Sequence, residues 1–181
     1  WSNVAVTAEG DLAGITLARV VGRPTMFPQA HEEFLRTRAL LLADPRGAAT
    51  VTMFEDGFFV REGILEEDSD VTATTQAELE LFMVNPDVRG VGGALWRQLL
   101  AALRSMGVRA FFLHTDSSCD FGFYDHKGLS RVAERLAADH PEDADLAPGM
   151  NTDDQFIYRA DLASGALGGA FRGTQGEVCG A

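Results

Sequence analysis

The stretch Ala77-Glu-Leu-Glu-Leu-Phe-Met-Val-Asn-Pro-Asp-Val-Arg-Gly-Val-Gly-Gly-Ala94 decides the fold. Side chains alternate between the two faces of a strand, so Glu78, Glu80, Phe82 and Val84 are expected on one face and Leu79, Leu81 and Met83 on the other. Asn85-Pro86-Asp87 stops the strand. After the glycine-rich turn, Leu95, Leu99, Ala102 and Met106 make one stripe of an amphipathic helix, with Gly107 as its C-terminal cap. Glycines at such a turn let main-chain N–H groups close on a phosphate. The helix N-terminus adds roughly half a positive charge there, so residues 89–94 are a candidate diphosphate cradle. Arg89 can add charge-assisted hydrogen bonds to the same group. The competing reading of these glycines is a tight turn with close helix packing.

Outward from this unit, residues 4–7 and 13–21 are β-rich and flank the turn Glu9-Gly10-Asp11, which reads as a hairpin. Residues 29–43 have helical spacing and end at Asp44-Pro45. The pattern over residues 47–70 is mixed, because Gly57 and Gly63 interrupt it, and the acidic residues 66–70 are expected as a solvated loop. Downstream lie a buried strand over 108–114, a short helix over 118–127 stopped by Gly128, a strand over 129–136, a loop over 140–151 and a last strand over 155–161. Strands alternating with helices imply an α/β sheet. Residues 164–181, with six glycines, read as a loose tail.

The 181 residues suit one domain, with 46% hydrophobic and 23% charged residues. No apolar run approaches the about 18 residues that cross a bilayer, so no membrane partner is expected. A net charge of −12 argues against nucleic-acid binding; it favours approach of cationic small molecules or basic peptides, the competing reading being a merely soluble acidic surface. Two cysteines, Cys119 and Cys179, make neither a disulfide framework nor a metal site, which fits a cytoplasmic protein. The chain starts at Trp1, so it reads as processed, truncated or numbered from a fragment.

Two motifs resemble the GNAT N-acetyltransferase superfamily. Its acetyl-CoA loop, Gln/Arg-x-x-Gly-x-Gly/Ala, is matched in register by Arg89, Gly92 and Ala94, behind a strand that resembles the family's fourth. Phe123-Tyr-Asp-His-Lys-Gly-Leu129 resembles the family's Phe-Tyr-x-x-x-Gly-Phe signature. The resemblance covers residues 77–132. Residues 25–75 would be a partly helical insert before the fourth strand, and the strand and helices usual before the hairpin have almost no counterpart. What the resemblance implies is a mixed central sheet flanked by helices and splayed between its fourth and fifth strands, in one domain over residues 1–163. Acetyl-CoA would enter the gap as co-substrate, its diphosphate on Arg89, Gly90, Val91, Gly92, Gly93 and Ala94. Main-chain groups of Met83 and Val84 would pair with its pantetheine amides, and Ser117 stands where the family usually has an Asn near that arm.

Acetyl transfer to an amine needs a proton removed from the ammonium and one supplied to the departing thiolate. By the resemblance Tyr124 is the candidate acid; its competing role is a packed aromatic beside Phe123. Glu78 and Glu80 share a strand face and either could be the base, the alternative being a pair on a solvated face. His114 and His126 read as polar surface or helix-end residues, and no metal is expected. The acceptor would be a small-molecule or peptide amine, the insert would cover its binding end, and a homodimer is compatible with the reading. Two rivals are a non-catalytic acyl-CoA-binding module and a nucleotide-dependent oxidoreductase. The second lacks the third glycine of Gly-x-Gly-x-x-Gly, where Leu95 stands.

Overall fold

The computed structural model describes residues 1–24, 26–143 and 153–163. The Gly-rich tail read over 164–181 and most of the loop read over 140–151 lie outside them. Strands β1 (Ser2–Val6) and β2 (Leu12–Val20) form the expected hairpin. Gly10 turns it at φ 95°, and the Thr7 hydroxyl accepts from the N–H groups of Glu9 and Asp11.

Helices α1 (Gln29–Leu42), α2 (Pro45–Thr52), α3 (Phe59–Ser69) and the single turn α4 (Val71–Thr74) follow, with a π-helical segment Met53–Phe58 between α2 and α3. Asp44 starts α2 by accepting from the N–H groups of Arg46 and Gly47, and Pro45 occupies a first-turn position where its missing N–H costs nothing. The acidic residues expected as a solvated loop lie largely inside α3, which ends at Asp70 in the left-handed region. Burial overrides local composition there: Leu65 packs with Val71, Phe112 and Ile157 against the sheet.

The remaining elements are β3 (Ala77–Val84), α5 (Val91–Ser105), β4 (Ala110–Asp116), α6 (Gly122–His126), β5 (Ser130–Arg135) and β6 (Gln155–Asp161). The six strands form one mixed sheet in the order β1-β2-β3-β4-β6-β5, antiparallel except between β3 and β4. The strand that the resemblance ranks fourth is therefore the third here. Helix α6 is shorter than expected, and Gly107, at φ 81°, follows α5 as its sequence position predicts.

One expectation fails at β3. Leu17 pairs with Leu81 but Ala18 pairs with Leu79, so Glu80 is an extra residue on β3, a bulge that reverses the alternation beyond it. Phe82 and Val84 consequently join Ala77 and Leu79 on the core face instead of sharing a face with Glu78. That core, with Trp96, Leu99 and Leu103 of α5, Phe111 and Leu113 of β4 and Phe156 and Tyr158 of β6, fills one side of the sheet. Helices α3 and α4 cover part of the other side.

Candidate active site

The bulge matters because it stands where the sheet opens. Strands β3 and β4 pair only at Ala77 with Phe111 and Glu78 with Phe112. Beyond Glu78, β3 runs on for six residues with β2 on one side and, among the described residues, no strand on the other. Main-chain groups of this free edge, which includes Met83 and Val84, are donors and acceptors without a ladder, the arrangement that an extended amide-bearing ligand completes.

At the mouth of the opening, Gly90 has φ 83° and caps α5 without a side-chain hydrogen bond. The first helical bond runs from Ala94 N–H to Gly90 C=O, so the N–H groups of Val91, Gly92 and Gly93 precede it. A Cβ built on Gly90 would meet no heavy atom within 4 Å among the described residues, so the space beside Gly90 is open. Asn85 shapes the approach, its C=O accepting from Val88 N–H and its Oδ1 from Asp87 N–H. Arg89 is exposed and has no ion-pair partner among the described residues. The turn is fixed from below by Gly14, where a Cβ would stand 2.8 Å from Met83 O, 2.9 Å from Leu95 Cδ1 and 3.0 Å from Val91 Cγ1. No sequence signal marked Gly14, because its requirement is a packing contact between segments about 70 residues apart.

Tyr124 is 2% exposed on α6 and lies among Trp96, Phe123 and Tyr158, with ring centroids at 6.4, 5.4 and 5.7 Å. Tyr158 is in turn the pairing partner of Leu113 in β4, so Tyr124 sits under the core face of the β4 wall. Ser117 follows β4 and is tied to the approach to β6: its hydroxyl donates to Asp153 Oδ1 at 3.2 Å and accepts from Asp154 N–H at 3.1 Å.

Glu78 and Glu80 reach the same guanidinium, that of Arg19 in β2, with Glu80 Oε1 at 2.9 Å from Arg19 Nε. They differ in burial: the Glu78 side chain is 16% exposed and that of Glu80 44%. Burial raises the Glu78 carboxyl above its ordinary range, against the pull of Arg19 and His114. His114 corrects the sequence reading most. Its side chain is only 7% exposed, with Nε2 3.0 Å from Glu66 Oε1 and Nδ1 3.7 Å from Glu62 Oε1. Donor atoms of Glu66, Glu78 and His114 all lie within 4.8 Å of one another, a grouping of metal-ligand types that the sequence spacing did not reveal. His126 is exposed on α6, as expected.

Helix α3 is held over this cluster by a buried ion pair at its start: Arg61 lies 3.7 Å from Asp143, which Arg135 also holds at 2.8 Å. Glu62 is squeezed in between, and burial, with Glu78 and Glu66 adding repulsion, lifts its carboxyl to about 7. An acid whose folded value is raised keeps a proton that the unfolded chain has lost. Stability therefore declines as pH climbs from the ordinary carboxylate range through about 7. Thermal melts at pH 5 and pH 8 are expected to show a smaller pH-dependent fall for Glu62→Gln than for the parent chain, with the variant the more stable at pH 8. Equal falls would mean that Glu62 is ionised throughout.

A glycine turn and helix N-terminus at the mouth of a gap between parallel strands make this an open, mixed α/β sheet with a slot in it. Its fold is that of the GNAT N-acetyltransferases, which the solved structures bear out. A mosquito arylalkylamine N-acetyltransferase-like protein 5b superposes with a TM-score of 0.58 at 14% identity, over 88% of this chain and 74% of that one. Polyamine N-acetyltransferase from Drosophila melanogaster gives 0.53 at 15% identity, over 88% and 74%. Arylalkylamine N-acetyltransferase 2 from Aedes aegypti gives 0.52 at 15% identity, over 89% and 73%. No protein-family model and no curated protein sequence matches this chain. No helix among the described residues is long and apolar enough to cross a membrane.

Proposed function

We propose that this chain is an acetyl-CoA-dependent N-acetyltransferase that moves the acetyl group to an amine by direct attack. The observation that carries the reading is the two-sided opening of the sheet. Glu78 faces α3, Tyr124 packs under the opposite face, and the unpaired stretch between β3 and β4 is where a group on one side can meet a group on the other. A thioester lodged in that gap would receive its attacking amine from the Glu78 side and its sulfur proton from the Tyr124 side. Holding both reactants in attack geometry supplies much of the rate enhancement in such a transfer.

In this reading the N–H groups of residues 90–94 and the Arg89 side chain hold the diphosphate, and main-chain groups of Met83 and Val84 pair with the pantetheine amides. Glu78 takes the ammonium proton, favoured over Glu80 by its deeper burial and raised carboxyl. The amine nitrogen then attacks the thioester carbon, the C–S bond breaks and Tyr124 protonates sulfur. Acetyl-CoA carries the activated acyl group, and direct attack routes no step through a metal.

The net charge of −12 and the acidic insert favour a cationic acceptor. Arylalkylamines and polyamines, named for the structural neighbours, are of that kind, and the Phe54–Phe58–Phe59 ring cluster of the insert suits an amine with an apolar part. Calorimetric titration with acetyl-CoA, followed by a panel of such amines with thiol detection, tests the reading; binding without thiol release on any amine would leave a non-catalytic acyl-CoA-binding module. Arg89→Ala is expected to weaken acetyl-CoA binding roughly 10-fold or more, since a hydrogen bond to a charged group contributes about 1.5–3 kcal/mol. An unchanged Kd would place the diphosphate elsewhere.

A further inference from the structure

The insert brings two carboxylates, Glu62 and Glu66, onto His114, a residue that neither family motif includes. Successive turns of α3 present them to opposite nitrogens of one buried ring, and Phe112 packs edge-on against that ring at 5.7 Å. His114 stands two residues beyond Phe112, where the β3–β4 pairing ends, so its ring lines the β4 side of the opening beside Glu78. Glu62 Oε1 is buried with no hydrogen-bond partner among the described residues, whereas the Glu66 side chain is 28% exposed and reaches water. An imidazole hydrogen-bonded to a solvent-facing carboxylate at 3.0 Å, with a donor atom of Glu78 within 4.8 Å, is placed to move a proton from Glu78 toward water.

Resting on the transferase reading, we propose that His114, held by Glu66 of α3 with Glu62 of the same helix beside it, is a positioning and relay residue that takes from Glu78 the proton removed from the acceptor ammonium and passes it through Glu66 to solvent. The ammonium N–H bond breaks with its electron pair left on nitrogen, and an O–H bond forms on Glu78. That proton then moves to a ring nitrogen of His114, the imidazolium releases a proton to Glu66, and Glu66 releases it to water. Glu78 returns to its carboxylate form, and nothing is oxidised or reduced. The charged groups facing the ring are Glu62 and Glu66 from α3 and Glu78 from β3, with Arg19 of β2 and Glu80 of β3 behind Glu78 and Arg61 of α3 turned toward Asp143. The insert helix is thereby part of the proton path as well as a cover.

The test uses the full chain and an amine that the parent protein acetylates. His114→Ala is expected to lower kcat at neutral pH by about 10- to 100-fold, at or below the lower end of direct acid–base groups. Acetyl-CoA affinity should stay at the parent value, and added imidazole should restore part of the rate. Glu66→Gln, which keeps size and fold, should lower kcat by less and alter its pH profile. Should His114→Ala fail to fold, the Glu66→Gln profile decides. Parent-like kcat and pH profile in Glu66→Gln, or a His114→Ala loss that is equal at every pH and blind to imidazole, overturns the relay and leaves the transferase reading intact. A parent chain that binds acetyl-CoA but acetylates no amine removes both. A second readout is free of turnover: His114 ring-nitrogen NMR signals should change in Glu62→Gln and in Glu66→Gln. Unchanged signals in both would also overturn the proposal.

Discussion

Tyr124→Phe is expected to lower turnover by about 10- to 1,000-fold while leaving acetyl-CoA affinity within a factor of about two, a loss in the range of proton-transfer groups. The substitution deletes one oxygen and keeps the ring, and the ring makes the packing contacts with Trp96, Phe123 and Tyr158. A thermal melt of the variant, run in parallel, separates loss of rate from loss of fold. What disappears is the proposed proton donor under the core face of the β4 wall, opposite the carboxylate proposed to accept the amine's proton. A thiolate leaving without that donor carries a full negative charge in the opening of a protein whose net charge is already −12. Steady-state kcat, with Kd for acetyl-CoA measured in parallel, checks the expectation. A variant that turns over at the parent rate would remove Tyr124 from the chemistry and return it to the role of a core aromatic.

The parts of the site legible in the sequence are those with local causes. The strand, the glycine turn and the helix α5 follow from periodicity and from residues adjacent in the chain, and the structure has each where its pattern predicts, although the buried face of α5 runs through Trp96, Leu100 and Leu103 as well as Leu95 and Leu99, with Ala102 and Met106 half-buried. The bulge at Glu80 was not legible, because strict alternation is the only phase a strand sequence offers and the extra residue is set by pairing with Leu17 and Ala18. The same limit hid α3. Its acidic residues look like solvent-facing loop until Leu65 is known to have Phe112 and Ile157 to bury against. His114 was misjudged for a related reason: its partner Glu66 lies 48 positions earlier, and no pattern along the chain connects them. Chemistry borne by one turn could thus be read from the sequence, and chemistry assembled across the sheet could not.

The support beneath that assembly is most exposed at Trp96. Its side chain is 2% accessible and stands within 5.5–6.4 Å, centroid to centroid, of Phe82, Phe111, Phe123 and Tyr124. It therefore links β3, β4, α5 and α6, the four elements around the opening. Trp96→Ala is expected to cost about 3–5 kcal/mol, the range for large-to-small changes of a buried aromatic. For a chain of this size that means a fall in Tm of roughly 6–20 °C. The indole N–H has no hydrogen-bond partner among the described residues, so its polarity adds cost, and Trp96→Phe should be far milder because it keeps a ring and discards the orphaned donor. The pair of variants separates packing from chemistry. If Tyr124 is held in place by this cluster, Trp96→Ala should lose turnover even at temperatures where circular dichroism reports a folded chain, and Trp96→Phe should keep most of it. A Trp96→Ala protein that melts within about 2 °C of the parent would mean that β3, β4, α5 and α6 hold together without the indole, and the opening would owe its shape to the Glu80 bulge and Gly14 alone.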